Sequence, residues 1–399
     1  MPIGTPFHSR TSALCHSQNW RTWSGYFVAS SYDVLHDYEY HAIRNSAALI
    51  DVSPLYKYEV RGRDALTLVN RVITRDASKS VVGQALYTCL CDEEGKVIQD
   101  GTVFKFANDH FRFHLADGAL RWLNLNAVGM EVTVQEVSEQ VAALALQGPR
   151  SFEILARVVD APLAQLKFFR LTPGRIQNLP VVVSRTGYTG DLGYEIWLAS
   201  EDAERIWDIL IEQGRIFGIK PTGMLALDIA RLEAGFILLE VDYVGSEKAL
   251  IPPQKYSPFE IALGWTVDLR KDHFVGCNAL RDESGRGPAR QIVGLEISLP
   301  DYEQLYYAIG LPPQIPLTAW RGGVPVYRDE LQVGHATTGG WSPILKKYIA
   351  LATIDKEYTA LGTRLDLEVT VEHKRKTTSA AVVKLPFYDP PRKRALVAT

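Results

Sequence analysis

The sequence is poor in cysteine and has no long apolar segment. Four cysteines occur among 399 residues without a CxxC pair, and Cys89 and Cys91 alternate on a strand pattern as core residues would. Nothing requires a disulfide framework or thiolate-bound metal, so a reducing, cytoplasmic location is expected. The longest apolar runs, such as 141–146 and 179–183, are much shorter than the roughly 20 residues of a membrane helix. No membrane partner and no metal are predicted.

Neither sign of charge is in excess. The chain has 43 Lys and Arg residues and 46 Asp and Glu residues, which gives a formal net charge of −3. Because nucleic-acid binding usually requires a basic domain or stripe, no nucleic-acid partner is expected, and a small-molecule ligand is favoured. The sequence also lacks an HExxH motif, a GxxxxGK[ST] loop and a GxGxxG motif. These absences argue against a zinc hydrolase, a P-loop enzyme and a nicotinamide- or FAD-binding domain.

The composition is that of an ordinary globular protein, with 46% hydrophobic and 22% charged residues. The length suggests two or three domains. In the first third of the chain, short alternating runs surround a helical pattern at 64–72, with Asp64 as the expected N-cap. Strand, helix and strand patterns recur from 141 onward, with helical spacing at 203–214. The sequence thus predicts an α+β fold with two similar mixed lobes.

A separate β-rich domain is expected at the C-terminus. Around 284–288 the sequence turns to glycine, proline and charge, and alternation with period two follows, as in 365–371. The last two strands are expected to form a hairpin with a basic tip at 373–376. The predicted boundaries are 283–399 for this domain and 1–282 for the region before it, divided into lobes of about 1–140 with 240–282 and 141–239.

The segment 185–196, RTGYTGDLGYEI, is the most informative part of the chain. A strand pattern enters a loop with glycine at every third position and leaves in another strand pattern. Such a loop lets the backbone approach a flat ligand, although by itself it is more often only a turn. The segment resembles the Gly-Tyr-Thr-Gly-Glu-x-Gly-Tyr-Glu signature of the glycine cleavage T-protein family, the aminomethyltransferases. Further resemblances follow the family order at 5–7, 41–44, 51–53, 95–100, 146–149, 231–235, 263–265 and 340–343.

The resemblance implies three domains around a central cavity that holds tetrahydrofolate, the last domain being barrel-like. The implied reaction moves a one-carbon unit onto a folate nitrogen. Asp100 aligns with the family's catalytic aspartate, which orients the nucleophilic amine and offsets its developing positive charge. Glu195 matches the carboxylate that binds the pterin, whose parallel N–H donors a carboxylate can accept together. The other residues placed at the cofactor by the resemblance are Tyr87, Tyr188, Arg185 and Gly187.

The donor half of the family pattern is altered in this chain. The family's Asp-Asp is replaced by Gln99-Asp100 and its Asn by Ala116. Its Arg-Asp is replaced by Leu227-Asp228, and its His by Pro54. Together with 287–291, these changes resemble the demethylase branch, which takes methyl groups from sulfonium, aryl methyl ether or methylamine donors. The favoured function is therefore a tetrahydrofolate-dependent demethylase whose partner is a small O-, S- or N-methylated one-carbon donor.

Candidate donor-binding residues are aromatic or protonatable. Ring faces attract onium groups, so aromatic residues could surround a cationic methyl donor. The candidates for such a cage are Tyr38, Tyr40, Tyr56, Tyr58 and Trp197. A neutral ether or amine donor must be protonated as it leaves, whereas a sulfonium donor needs no acid. The candidates for that proton donor, which the sequence does not rank, are His41, His114, Tyr56 and Lys57.

Two other functions stay open. An aminomethyltransferase would form methylene-tetrahydrofolate and would need a lipoyl carrier protein as its partner, which a demethylase would not. A non-catalytic folate-binding protein of the iron-sulfur maintenance branch would contain a Lys-Gly-Cys-Tyr-x-Gly-Gln-Glu segment. The chain after Gly235 is instead Phe-Ile-Leu-Leu-Glu, so this second alternative is disfavoured.

Overall fold

The computed structural model describes residues 1–396, which form three β-sheets, a closed barrel and the helices packed against them. None of the helices in this part of the chain has the length and apolar character required to cross a membrane. The α-helices are α1 (His8–Leu14), α2 (Asp37–Asn45), α3 (Ala65–Val72), α4 (Leu120–Asn126), α5 (Ser151–Val158), α6 (Ala203–Gly214), α7 (Met224–Glu233), α8 (Cys277–Arg286) and α9 (Leu299–Tyr307). The strands are β1 (Ile3–Gly4), β2 (Asn19–Trp23), β3 (Tyr26–Ser31), β4 (Ala47–Asp51), β5 (Tyr56–Arg61), β6 (Gln84–Cys91), β7 (Val97–Ala107), β8 (His110–Leu115), β9 (Thr133–Glu136), β10 (Val141–Gln147), β11 (Leu171–Ile176), β12 (Leu179–Ser184), β13 (Gly193–Ala199), β14 (Ile219–Pro221), β15 (Arg290–Ile297), β16 (Trp320–Arg328), β17 (Leu331–Ser342), β18 (Lys347–Asp355), β19 (Arg364–Val371) and β20 (Lys374–Val383).

The first lobe is a five-stranded antiparallel sheet in the order β6-β7-β8-β5-β9. Side chains alternate along each strand, so residues paired across neighbouring strands share a face. Tyr87 pairs with Thr102, and Thr102 pairs with His114, so these three lie on one face together with Asp100. The opposite face, which includes Phe113, is buried against α3. The sheet thus separates a structural face from the face that carries the predicted catalytic residue.

The helix α3 forms where helical spacing predicts it. Four of its five apolar positions are buried, namely Ala65, Leu68, Val69 and Val72, and Leu66 is half-buried. Asp64 occupies the predicted N-cap position, but its carboxylate accepts a hydrogen bond from the backbone N–H of Glu131 at 2.8 Å instead of capping the helix. Burial of one apolar face is therefore what stabilises this short helix.

The second lobe is built on a six-stranded sheet in the order β11-β12-β13-β10-β4-β14. The helices α5 and α6 cover one face of this sheet and pack against each other. Helix α6 coincides with the helical pattern predicted at 203–214. The opposite face of the sheet turns toward the first lobe, where the apolar cores of the two lobes share a cluster.

The structure divides the lobes differently from the sequence prediction. Strand β4 pairs with β10 and β14, α2 packs on β4, and α1 contacts α6. The chain before β5 therefore packs with the second lobe, whereas we predicted it as part of a first lobe of 1–140. The pairing of Leu49 with Leu146 joins strands that are distant in sequence, and local periodicity cannot reveal such a partner.

The barrel contains the strands β15-β18-β17-β16-β19-β20, from Arg290 to Val383. The β19–β20 hairpin turns at Glu372 and His373, whose positive φ values of 46° and 61° suit a two-residue type I′ turn. The predicted hairpin is therefore confirmed, but its turn lies at 372–373, and residues 374–376 of the predicted tip belong to β20. Helix α8 continues across the boundary predicted between 282 and 283, so the barrel starts later than expected.

A buried ion pair between Arg44 and Glu233 is connected to the barrel by a hydrogen bond from Ser342. Glu233 at the end of α7 accepts hydrogen bonds from the Tyr40 hydroxyl at 2.6 Å, from the Arg44 guanidinium at 2.6 Å and from Ser342 of β17 at 2.5 Å. All four side chains are buried. Because a buried charge is costly unless it is paired, Glu233 and Arg44 depend on each other.

The substitution Glu233→Ala should lower the free energy of unfolding by about 3–5 kcal/mol, since it leaves the Arg44 guanidinium buried without its main partner. Urea denaturation followed by circular dichroism measures this loss. Glu204→Ala, which removes a partner of the exposed Arg10, is the control and should change stability little. Similar small losses for both variants would contradict a structural role for the buried pair.

Candidate functional site

The two lobes face each other through their sheets. The Trp197 ring of β13 lies 3.9 Å from the His114 ring of β8 and 5.6 Å from the Phe104 ring of β7, measured between ring centroids. Asp100 lies on the same face of the first sheet as His114. Glu195 lies two residues from Trp197 and therefore on the same face of the second sheet. Both carboxylates that the sequence singled out thus lie between the lobes.

The Asp100 carboxyl is held by two tyrosine hydroxyls. Tyr87 donates a hydrogen bond to Oδ2 at 2.5 Å, and Tyr243 donates one to Oδ1. The Tyr243 oxygen also accepts a hydrogen bond from the backbone N–H of Asp100 at 3.0 Å. Burial raises the pKa of the Asp100 carboxyl, and the two hydroxyl donors oppose this rise because they stabilise the ionised form. The carboxyl is therefore fixed in orientation and is more basic than an exposed aspartate.

Tyr243 is a contact that the sequence analysis missed. It lies 143 residues after Asp100, outside the helices and regular strands. The adjacent Asp242 fixes its segment, since the Asp242 carboxylate accepts hydrogen bonds from the backbone N–H of Leu238 at 2.8 Å and from Arg231 at 2.7 Å. No periodicity or motif near Tyr243 marks it as functional, so only the folded chain shows its contact with Asp100.

Glu195 is half-buried and is bound through one of its two oxygens. Its Oε2 accepts hydrogen bonds from the hydroxyls of Thr186 at 2.6 Å and Ser184 at 3.4 Å. Within residues 1–396, these are the donors to the carboxylate, and Oε1 has none. Burial raises the pKa of the Glu195 carboxyl, and the two hydroxyl donors oppose the rise. The residue thus offers one oxygen to a ligand while the other keeps it oriented.

Tyr188 lies among the charged groups between the lobes. Its hydroxyl donates a hydrogen bond to the carbonyl oxygen of Ile237, and its ring stacks on Phe236 with centroids 5.6 Å apart. Burial raises the pKa of the hydroxyl, so it stays protonated at neutral pH. The charged groups that act on this hydroxyl are Arg231, Asp100, Asp242 and Asp228. The Tyr188 hydroxyl is therefore within the electrostatic influence of Asp100 and of the charged residues of α7.

The loop glycines make room for a buried glutamine. A Cβ atom at Gly187 would lie 2.0 Å from Oε1 of Gln147, and one at Gly193 would lie 2.4 Å from the same side chain. Gln147 donates hydrogen bonds to the carbonyl oxygens of Thr186 and Tyr194, each at 3.3 Å, and so joins the two sides of the loop. Packing within the protein explains Gly187, which we had predicted at the cofactor.

Arg185 points toward the C-terminal segment. Its guanidinium donates hydrogen bonds to the carbonyl oxygens of Leu166 at 3.0 Å and Ala395 at 2.5 Å. The same segment is bound to the second lobe by Arg392, whose Nε lies 2.6 Å from Asp191. The two terminal nitrogens of this buried guanidinium are thus bound by backbone carbonyl oxygens, whereas its Nε has no hydrogen-bond partner among the described residues, and the predicted role of Arg185 at the cofactor stays a prediction.

The three predicted donor-binding residues do not line one cavity. Lys57 pairs with His114, so the neighbouring Tyr56 lies on the opposite face of the first sheet. The ring of Tyr56 stacks on that of Tyr58. His114 is buried, and burial lowers its pKa, so it is neutral and a poor proton donor. Trp197 is only 2% exposed. The structure therefore separates Tyr56 from Asp100 and makes His114 and Trp197 part of the packing between the lobes.

The other candidates for the cage and the proton donor are also placed elsewhere. Tyr38 is 66% exposed, Tyr40 is buried in the ion-pair cluster of Glu233, and His41 is exposed. Lys57 is buried, and its Nζ donates a hydrogen bond to a backbone carbonyl oxygen at 2.6 Å. Burial lowers the pKa of Lys57 to about 7. These residues do not form the aromatic cage that the sequence suggested.

Two arginines from distant parts of the chain meet at Asp228 of α7. Arg21 of β2 lies 3.1 Å from Asp228 Oδ2, and Arg321 of β16 donates a hydrogen bond to Oδ1. At the tip of the β2–β3 hairpin, Ser24 donates a hydrogen bond to the carbonyl oxygen of Ala116 at 3.3 Å. The hairpin that carries Arg21 thus contacts Ala116, and Arg21 itself contacts Asp228 beside Leu227; Ala116 and Leu227 are two positions at which the sequence departs from the family pattern. The sequence analysis named neither arginine, because neither belongs to a motif.

Two open cavities reach tryptophans in the neighbourhood of the two carboxylates. One, of about 650 Å³, reaches Trp197, whose indole N–H donates a hydrogen bond to Ser184 beside Glu195. The other, of about 410 Å³, reaches Trp265, whose ring lies 6.1 Å from that of Tyr87. Neither cavity is lined by Asp100 or Glu195.

The cysteines are structural. All four thiols are free and buried, and Cys89 and Cys91 belong to one apolar core, as predicted. Burial raises the pKa of both of these thiols. Within the part of the chain that the structure describes, no three His, Cys, Asp or Glu side chains are grouped as metal ligands.

Comparison with known proteins identifies relatives over nearly the whole chain. Residues 8–271 match the GCVT N-terminal domain, and residues 309–389 match the glycine cleavage T-protein C-terminal barrel domain. The aminomethyltransferase of Caldanaerobacter subterraneus is 34% identical over 88% of this chain and 87% of its own, and that of Halalkalibacterium halodurans is 36% identical over 88% and 89%. A trimethylamine-oxide aldolase of Ruegeria pomeroyi is 35% identical over 98% of this chain but only 47% of its own length.

A solved structure has the same fold. The glycine cleavage system aminomethyltransferase T from Bartonella henselae superimposes with a TM-score of 0.83 and 23% sequence identity, with both chains covered completely. This likeness confirms the predicted α+β class with a C-terminal barrel. The family matches likewise confirm the resemblance inferred from the motifs. The chain is therefore an enzyme of the glycine cleavage T-protein family.

Proposed function

We propose that this enzyme transfers a one-carbon unit from a small methylated donor to tetrahydrofolate. The proposal rests on the two carboxylates between the lobes. Asp100 is held by two tyrosine hydroxyls, and Glu195 is half-buried with one oxygen free of donors from the described residues. The first carboxylate can act on a reacting nitrogen, and the second can bind a ring edge that presents N–H groups.

The residues around Glu195 fit the pterin of tetrahydrofolate. A carboxylate can accept two parallel N–H donors, and Oε1 of Glu195 is the oxygen without a protein donor among residues 1–396. Thr186 keeps the carboxylate oriented through Oε2. The stacked rings of Tyr188 and Phe236, with 24° between their planes, add flat apolar surface nearby. Glu195, Tyr188 and Tyr87 are the residues that would hold the cofactor.

Asp100 is placed to assist the transfer. Bound at this site, tetrahydrofolate would supply the nucleophilic nitrogen that accepts the one-carbon unit. The Asp100 carboxylate can accept a proton and can stabilise a positive charge that develops near it. Because Tyr87 and Tyr243 already fix the carboxylate, little reorganisation is required during the reaction.

Two observations favour a methylated small molecule as the donor. The name of the R. pomeroyi relative gives its substrate as trimethylamine oxide, an N-methyl compound, and that relative covers 98% of this chain. Ala116 and Leu227 also replace polar residues of the family pattern on the donor side. The alternative is an aminomethyltransferase that accepts its group from a lipoyl carrier protein, which the names of the other relatives favour.

Product analysis separates these two functions. The protein is incubated with tetrahydrofolate and either a panel of O-, S- and N-methylated compounds or an aminomethylated lipoyl carrier protein, and folate products are identified by mass spectrometry. Formation of 5-methyltetrahydrofolate from a small methylated compound is the expected result. Formation of 5,10-methylenetetrahydrofolate only with the carrier protein would support the alternative, and binding of tetrahydrofolate without any product would contradict both.

The substitution Asp100→Asn should lower kcat by roughly 10²-fold or more, because the amide can neither accept a proton nor carry the negative charge. The affinity for tetrahydrofolate should change little. Single-turnover rates and titration calorimetry measure the two quantities. Asp329→Asn, at an exposed turn, is the matched control. If Asp100→Asn transfers at the rate of the unmodified enzyme, the assigned role of Asp100 is wrong.

The substitution Glu195→Gln should weaken tetrahydrofolate binding by roughly 10- to 100-fold, since a hydrogen bond to a charged group contributes about 1.5–3 kcal/mol. The turnover number at saturating cofactor should change much less. Titration calorimetry tests the affinity, with the exposed Glu201→Gln as control. Unchanged affinity in the Glu195 variant would remove the main support for a pterin at this position.

The substitution Tyr243→Phe should move the acid limb of the kcat profile to higher pH. The lost hydrogen bond stabilises ionised Asp100 and lowers its pKa, so removing it raises the pKa further. A bond of about 1.5–3 kcal/mol corresponds to a shift of about 1–2 pH units. Tyr327→Phe, in the barrel, should leave the profile unchanged. An acid limb that stays in place, or moves to lower pH, would show that Tyr243 does not tune Asp100.

A further inference from the structure

The arginines at Asp228 carry more positive charge than their neighbours neutralise. Arg231 is paired with Asp242 at 2.7 Å and lies 3.7 Å from Asp228. Arg21 and Arg321 form their ion pairs with the single carboxylate of Asp228. Within residues 1–396, three guanidinium groups therefore meet two carboxylates, and one positive charge is left without a partner.

The two guanidinium groups are accessible, whereas their shared carboxylate is not. The side chains of Arg21 and Arg321 are 26% and 32% exposed, and that of Asp228 is 6% exposed. A guanidinium has five N–H donors. Each of these two donates one hydrogen bond to a protein atom in the described part of the chain. Most of their donors are thus available to a ligand.

The arginine pair lies on the same side of the interior as Tyr188. Trp23 of β2 and Leu227 of α7 pack in one apolar cluster with Tyr188. The charge of Asp228 acts on the Tyr188 hydroxyl, and so does the charge of Asp100. Tyr188 therefore connects the region of the arginine pair with that of Asp100.

We propose that Arg21 and Arg321 bind a carboxylate group of the one-carbon donor, an inference that rests on the proposed one-carbon transfer. Guanidinium groups bind carboxylates through paired hydrogen bonds. The excess positive charge disfavours a donor that is only cationic, and the aromatic residues that the sequence suggested do not form a cage for one. The donor class is then a small acid with its methyl group on nitrogen, sulfur or oxygen at the other end.

Binding measurements on the full chain test this assignment. Titration calorimetry compares N,N-dimethylglycine and dimethylsulfoniopropionate with their amides, each with and without 5-formyltetrahydrofolate. We expect at least one acid to bind about tenfold or more tightly than its amide, because the amide loses a charged hydrogen bond. If neither acid binds more tightly than its amide, the proposal is wrong. Binding of 5-formyltetrahydrofolate is measured separately, so failure of the folate site is distinguishable from failure of the arginine pair.

Variants separate donor binding from a purely structural role. Arg21→Gln and Arg321→Gln should each lower the affinity for the acid about tenfold and leave the affinities for the amide and for 5-formyltetrahydrofolate unchanged. Arg21→Lys should retain part of the preference for the acid, and Arg10→Gln, on α1, should retain all of it. A purely structural role would weaken acid and amide equally, which would overturn the proposal. Should a glutamine variant fail to fold, the lysine variant and the unmodified protein still give the acid-to-amide ratio.

Discussion

The site depends on a half-buried carboxylate that has hydrogen-bond donors but no ion-pair partner among the described residues. Asp100 is bound by Tyr87 and Tyr243, and no lysine or arginine of residues 1–396 forms an ion pair with it. Removing a carboxylate from water is costly unless its charge is stabilised. Two hydroxyl donors offset part of this cost without neutralising the charge. The carboxylate is therefore free to stabilise a positive charge that forms beside it, where the low dielectric strengthens the interaction.

The barrel contributes to this site although it lies outside the two lobes. Thr337 and Thr338 of β17 donate hydrogen bonds to Asp242 at 2.6 and 2.7 Å. Asp242 in turn pairs with Arg231 of α7 and precedes Tyr243 in the chain. The contact from Tyr243 to Asp100 thus depends on a network that starts in the barrel and crosses the second lobe. Such a network orients a side chain more firmly than a single hydrogen bond, because each member is itself held.

Much of the fold, but less of the site, could be predicted from the sequence. Helix α3 and the strands of the first sheet follow from periodicity, which is local, and the motifs indicated the family. Periodicity could not show that β4, before the predicted lobe boundary, pairs with strands far along the chain. Tyr56 was grouped with His114 because the sequence gives strands without their register, and the register places the two on opposite faces. Arg185 and Gly187 belong to the recognised motif, yet the folded chain uses them for packing.

Charge is distributed unequally between two groups of residues in the interior. Glu195 and Asp100 contribute negative charge between the lobes, while Arg21 and Arg321 contribute an excess of positive charge at Asp228. A donor with a carboxylate at one end and a methylated cationic centre at the other would be oriented by both. Its carboxylate would lie at the arginines, and its methyl group would be drawn toward Asp100. Electrostatic orientation of this kind would position the methyl group without an aromatic cage or a protonated histidine, which agrees with the neutral, buried state of His114.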